Sequence, residues 1–216
     1  MAGVGDRTKI SGADTDEKLT ASLEKARKVL LSGGIVGFPT ESFYGLAVDI
    51  ENDGAIEKLF SVKKRDKGKP ILIILPNLKS LEKYVEEIPD KALRLISEFW
   101  PGGLTLIFKA NRKVSPLLTS AGGKIGIRYS GHPVASLLAE TIGRPVTGTS
   151  ANISGYFPCV DAKEVYRYFK KTVNLIIDGG RTKGGKGSTI LDITKEPPVI
   201  IREGIIPGSD IQRITG

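Results

Sequence analysis

The sequence has one cysteine, one histidine and one tryptophan among 216 residues. With Cys159 alone, no intrachain disulfide can form. Cys159 and His132 together are too few for an ordinary Cys/His zinc site. A Ser–His–Asp hydrolase would have to use His132, yet no nucleophile-elbow sequence accompanies it. His132 is instead expected at a helix start or on the surface. No apolar run is long enough to span a bilayer, and the N-terminus shows no apolar h-region. Asn152-Ile153-Ser154 matches a glycosylation sequon, but no secretory signal supports it. These absences fit a reducing compartment, so a cytoplasmic location without membrane contact is expected. Aromatic residues make up only 6%, too few for an evident base-stacking platform. Any binding of tRNA or double-stranded RNA should therefore be weak and salt-sensitive.

What is present suits one globular domain. Hydrophobic residues reach 40%, enough to bury a sizeable core. Residues 1–13 are polar and glycine-rich and predict a flexible tail, leaving 14–216 as a single domain. Cations outnumber acids by 32 to 24, a net charge of +8, which favours anionic partners such as nucleotide, pyrophosphate or RNA.

The patterning alternates between helix and strand. Leu19, Leu23, Ala26 and Leu30 fall at helical spacing behind a cap at Asp14 or Thr15. Ile35–Phe38 predicts a buried strand that Pro39 stops. A helix opens at Asp53 or Gly54, with Ile56, Leu59 and Phe60 on one face, and Ile71–Leu75 predicts the next strand. Helices are expected over Leu78–Val85 and Pro89–Phe99, with Trp100 in the core. Strands are expected over Leu104–Phe108, Lys124–Arg128, Pro145–Gly148, Val173–Ile177, Ser188–Ile193 and Val199–Arg202. Val134–Ile142 and the stretch capped by Asp161 predict helices, and Ser209–Ile214 a short amphipathic end. Such alternation specifies an α/β fold.

The chemistry concentrates at the ends of these elements. Thr40-Glu41-Ser42-Phe43-Tyr44-Gly45-Leu46 is a turn rich in hydroxyls. Lys63-Lys64-Arg65-Asp66-Lys67-Gly68-Lys69-Pro70 is a strongly cationic loop between two buried elements. Hydroxyl donors and cations at the mouth of a sheet are what a polyphosphate site needs. Gly180–Lys186 resembles the start of a phosphate loop. However, Gly187 stands where a magnesium-binding Ser or Thr is required, and a strand follows where a helix should. A glycine hairpin or lid is expected there.

The segment Pro39–Leu46 resembles the Pro-Thr-acid-x-x-Tyr-Gly-Leu turn of the YrdC family, enzymes that make threonylcarbamoyl-adenylate for tRNA modification. Lys63 and Arg65 are similar to the family's Lys-x-Arg motif, and Ser150 and Asn152 to its Ser-x-Asn motif. Arg128, Ser188-Thr189 and Arg202 resemble further family positions, in family order. The resemblance covers roughly residues 20–205. It implies a single-domain form of the YrdC-type fold, a twisted mixed sheet with surrounding helices and a concave basic cavity. It also implies the reaction of L-threonine, bicarbonate or carbon dioxide, and ATP. By that resemblance Lys63, Arg65, Ser150 and Asn152 are catalytic. Lys63, Arg65, Lys67, Ser150, Asn152 and Arg202 bind ATP. Thr40, Arg128 and Ser188 bind threonine, with the Arg128 guanidinium as a fork for the carboxylate. Magnesium would travel with ATP, no metal site on the protein is expected, and a threonylcarbamoyl transferase acting on tRNA would accept the product. Two other readings stay open: an RNA-binding module on the same fold, and a carbamoyl-transfer relative, which normally sits in a much longer chain.

Overall fold

In the computed structural model, which describes residues 8–120 and 122–216, the strands form two mixed sheets rather than the single sheet expected. Numbered in chain order, the five-stranded sheet runs β1 (Lys9–Gly12), β9 (Leu175–Asp178), β2 (Val36–Pro39), β3 (Tyr44–Ala47) and β8 (Thr149–Ser150). The six-stranded sheet runs β11 (Val199–Arg202), β10 (Thr189–Asp192), β5 (Leu104–Lys109), β6 (Lys124–Arg128), β4 (Ile73–Ile74) and β7 (Val146–Thr147). No helix among the described residues is long and apolar enough to cross a membrane.

Two expectations are corrected here. Residues 9–12 are not part of a flexible tail: β1 pairs in parallel with β9, from Lys9 opposite Leu175 to Gly12 opposite Asp178. The tail expected over residues 1–7 lies outside the described residues. Leu78–Lys83 forms a 3-10 helix, shorter than the expected one, where the Asn77 side chain accepts from the Ser80 N–H.

Helices cover the sheets because their apolar stripes demand it. Helix α1 (Asp16–Leu31) is capped by Thr15, whose hydroxyl accepts from the Lys18 N–H, with Asp16 and Glu17 in its first turn. Its Leu23, Ala26 and Leu30 pack with Leu138, Ala139 and Ile142 of α4 (Pro133–Ile142) and with Val36 and Phe38 of β2. A second core gathers Ile56, Leu59 and Phe60 of α2 (Asp53–Lys63) and Leu95 of α3 (Asp90–Phe99) with alternate residues of β5 and β6. Trp100 lies in that core as expected, its indole N–H donating to the Leu104 carbonyl at 2.7 Å. Helices α5 (Ala162–Phe169) and α6 (Gly208–Thr215) complete the shell.

The period of two along a strand decides where the site can be. In β5 and β6, Leu104, Leu106, Phe108, Ile125 and Ile127 face the core. Their neighbours Thr105, Ile107, Lys124, Gly126 and Arg128 face the opposite side, which is the floor of a cavity.

Candidate active site

The cavity measures about 770 Å³ and takes its lining from both sheets. From the six-stranded sheet come the β5 and β6 residues just named and Ser188, Ile190 and Asp192 of β10 and its entry. From the five-stranded sheet come the β2–β3 turn and Thr149 and Ser150 of β8. Among the described residues, the cations on its surface are Arg65, Lys69, Lys124, Arg128 and Arg202, against one acid, Asp192.

The hydroxyl-rich turn is a hairpin joining β2 to β3, in register from Val36 opposite Ala47 to Pro39 opposite Tyr44. Both the Thr40 N–H, at 3.0 Å, and its hydroxyl, at 2.7 Å, donate to the Phe43 carbonyl. Thr40 and Ser42 both line the cavity. Gly45 is required by packing: a Cβ there would stand 2.9 Å from the Phe38 ring.

The Lys-x-Arg segment splits at Lys64. That residue ends α2 in the left-handed conformation, φ 48°, so the chain reverses and its neighbours part. Lys63 turns inward, 1% exposed, and does not line the cavity. Its ammonium donates to the Ser150 carbonyl, to the Asn152 carbonyl at 2.9 Å and to Asn152 Oδ1 at 3.0 Å. Burial and, second, the Arg65 charge push its pKa down to about 7. Lys63 thus holds the Ser150–Asn152 turn from behind, whereas a direct phosphate contact had been expected. Arg65 does line the cavity, and it also braces the loop, donating to the Lys69 carbonyl at 3.0 Å and the Pro70 carbonyl at 2.8 Å.

Lys67, expected at the triphosphate, points away from the cavity and pairs with Glu57 at 3.1 Å on the surface. Lys69, which the motif did not single out, lines the cavity in its place. Asn152 likewise stands behind the lining. It accepts from the Ser150 hydroxyl at 2.7 Å and donates to the Tyr156 carbonyl at 2.7 Å, so its amide shapes the turn while Ser150 faces the cavity.

At the opposite wall, Arg202 and Ser188 meet: Arg202 Nη2 donates to the Ser188 carbonyl at 2.8 Å, and the Thr105 hydroxyl donates to Ser188 Oγ at 2.9 Å. Gly204 allows this approach, because a Cβ there would overlap the Gly187 carbonyl oxygen at 2.1 Å. Arg128 closes β6 with its side chain 5% exposed, and its Nη2 lies 3.1 Å from Glu41 Oε2. Burial lowers the pKa of Arg128, and Glu41 opposes that shift. His132 precedes α4 without a side-chain cap bond, its Nδ1 buried and unpartnered among the described residues.

The glycine-rich loop is a strap. The Tyr44 hydroxyl donates to the Gly180 carbonyl at 2.7 Å, the Thr182 N–H donates to the Val160 carbonyl at 2.8 Å, and the Gly184 N–H donates to the Ser42 carbonyl at 2.7 Å. Gly180 and Gly184 adopt φ of 82° and 67°, which side-chain-bearing residues rarely do. The strap therefore ties the hydroxyl turn to the start of α5 and leads directly into Gly187 and Ser188. Sequence reasoning also missed Thr105 and the Lys124–Asp192 pair, 2.9 Å apart on the floor. Only the period-two pattern of the flanking strands could have found Thr105 and Asp192. Among the described residues, no group of three His, Cys, Asp or Glu side chains converges to hold a metal ion.

This arrangement presents fixed cations, hydroxyls and backbone groups around a cavity large enough for a nucleotide with a second small substrate. Several comparisons bear on it. The model of the Sua5/YciO/YrdC family, described as telomere recombination, matches residues 28–204. The chain is 36% identical to the threonylcarbamoyl-AMP synthase of Pyrococcus abyssi, over 85% of this chain and 54% of that protein. It is 33% identical to the threonylcarbamoyl-AMP synthase of Bacillus subtilis, over 94% of this chain and 59% of that one. The chain thus spans little more than half the length of these curated relatives. The structure of P. abyssi Sua5 complexed with L-threonine matches with a TM-score of 0.89 at 33% identity, covering 97% of this chain and 61% of that one. By sequence and by fold, the chain belongs to the Sua5/YciO/YrdC family.

Proposed function

We propose that this chain is a threonylcarbamoyl-AMP synthase, converting L-threonine, bicarbonate and ATP to threonylcarbamoyl-adenylate, pyrophosphate and water. The observation that carries the reading is the convergence of Thr40, Arg65, Arg128, Ser150, Ser188 and Arg202, from distant segments, on one cavity. The threonine amine adds to the one-carbon unit to give a carbamate. A carbamate oxygen then attacks the α-phosphorus, and pyrophosphate leaves. Charge grows on the phosphoryl oxygens and the leaving group, so fixed cations and donors suffice and no covalent enzyme intermediate is needed.

In this reading Arg65, Lys69 and Arg202 hold the polyphosphate, and Ser150 positions the α-phosphate. Lys63 and Asn152 keep the Ser150 turn in place. Arg128 takes the threonine carboxylate, and Thr40 and Ser188 orient the amino acid. Magnesium enters with ATP as part of the substrate. A carbamate is labile in open water, so a cavity that withdraws it from solvent is useful. The adenylate then passes to a threonylcarbamoyl transferase that modifies tRNA, in the cytoplasm.

The test is pyrophosphate release by the purified chain. It should require threonine and bicarbonate and yield the mass of threonylcarbamoyl-adenylate. Equal ATP turnover without threonine would reject the proposal. Absence of turnover with tight tRNA binding at high salt would favour an RNA-binding module.

A further inference from the structure

Glu41 belongs to the hydroxyl turn yet does not line the cavity, and the reaction above gives it no role. Its carboxylate nevertheless bridges the two sheets. It projects from the β2–β3 turn of the five-stranded sheet. One oxygen, Oε1, accepts from the Ser130 hydroxyl at 2.8 Å and from the Gly131 N–H at 2.7 Å, just past the end of β6 in the six-stranded sheet. The other, Oε2, lies 3.1 Å from Nη2 of Arg128, the last residue of that strand. Both side chains are largely withdrawn from solvent, 17% and 5% exposed. Burial alone would raise the Glu41 pKa, but the Arg128 charge, backbone donors and Ser130 outweigh it, so the carboxylate is ionised.

We infer that Glu41 is a positioning residue for substrate recognition: it fixes the Arg128 guanidinium from behind so that its remaining donors meet an amino-acid carboxylate in the cavity. The inference rests on the threonine role proposed above for Arg128. A long arginine side chain has many rotamers, and a fork recognises a carboxylate bidentately only when its plane is set beforehand. Glu41 sets it through one ion pair, while its other oxygen is anchored to groups two and three residues beyond Arg128. Glu41 Oε2 and Arg128 Nε are both buried and without a hydrogen bond among the described residues, so the two side chains meet as an ion pair and the guanidinium's hydrogen bonds are not spent on Glu41. The bridge also couples the fork to the turn that carries Thr40 and Ser42, so both sides of the amino-acid pocket are set by one carboxylate.

Glu41→Gln tests this. The amide oxygen can still accept from Ser130 and Gly131, which turns the amide N–H₂ toward Arg128. Donor then faces donor, and the guanidinium is displaced. Calorimetric titration is made with L-threonine and with L-threoninamide, which lacks the carboxylate. The wild-type chain should prefer threonine by about tenfold or more, the worth of a charge-assisted pair. Glu41→Gln should lose most of that preference through weaker threonine binding, with threoninamide and ATP affinities little changed. A generally loosened structure would weaken all three ligands alike. Ser130→Ala, which removes one anchor of Glu41 and leaves every charge in place, should shift the preference the same way by a smaller factor, and it decides the matter if Glu41→Gln does not fold. A folded Glu41→Gln or Ser130→Ala chain with wild-type preference overturns the positioning role. A wild-type chain that binds ATP but does not distinguish threonine from threoninamide overturns the threonine reading of Arg128 itself.

Discussion

Arg65 and Lys63 stand two positions apart in the sequence and do opposite work. Arg65 faces the cavity, so Arg65→Ala should leave a folded protein whose turnover falls about 100-fold, the usual cost of removing one group that stabilises developing charge. Steady-state rates on a variant with wild-type circular dichroism check this, and undiminished turnover would reject the assignment. Lys63 is a buried cation held by three acceptors, and its signature is thermodynamic. Its folded-state pKa, about 7, lies below its ordinary 10.5. Across that window the unfolded chain binds the proton more tightly than the folded one. The stability it contributes is therefore present above the unfolded value and is lost as pH falls through the folded value. Urea unfolding at about pH 7 and about pH 9 should show wild type gaining stability relative to Lys63→Met as pH rises. A difference that does not change with pH would mean that Lys63 titrates normally in the fold.

At the scale of the element, the basic loop after α2 has an inner and an outer face that its sequence does not mark. Lys67 and Lys69 look equivalent as letters. Lys67 pairs with Glu57 in solvent, with side chains 61% and 56% exposed, and such a pair contributes at most about 1 kcal/mol. Lys69 lines the cavity. Lys67→Ala should leave the apparent Michaelis constant for ATP within about twofold, and Lys69→Ala should raise it about tenfold, the effect of one charge-assisted phosphate contact. Equal effects of the two substitutions in ATP titrations would sink this reading of the loop. The same contrast explains what could be read from sequence. Long amphipathic helices such as α1 and α3 announce themselves by their periodic Leu and Ala, and most strands by short apolar runs. The strand β3 hid inside the motif Tyr44–Ala47, because its pairing with β2 is set by the turn geometry and not by its own composition. β1 hid in a polar tail, because parallel pairing with β9 recruited it. The site was legible as a set of residue types but not by which ones face inward. The left-handed Lys64, which sends Lys63 in and Arg65 to the cavity, is a tertiary decision that no local propensity encodes.

At the scale of the molecule, the cavity belongs to neither sheet alone. Ser150, Thr40 and Ser42 come from the five-stranded sheet, Arg128, Ser188 and Arg202 from the six-stranded one, and Arg65 and Lys69 from the loop that joins α2 to β4. A ligand filling it must contact both sheets, and anything that binds only the folded form stabilises it by mass action. At about a hundred times its dissociation constant, one ligand adds about 2.7 kcal/mol. In a 216-residue chain each kcal/mol raises Tm by about 2–4 °C, so the shift should be about 5–11 °C. Under the proposed function ATP and threonine fill adjoining parts of the cavity, and the phosphates and the threonine carboxylate lie beside cations that burial has already made costly to keep charged: Arg65, Arg128 and Arg202 all have lowered pKa values for that reason. The phosphates and the threonine carboxylate draw on the same cluster of cations and repel each other, so the two ligands together should raise Tm by less than the sum of their separate shifts. Melting curves with ATP, with threonine, with both, and with threonine replaced by threoninamide measure this. Strictly additive shifts would place the two substrates in independent sites, and an ATP shift abolished by modest salt, with none from threonine, would leave the cavity as a general anion sink instead of a pocket for two specific reactants.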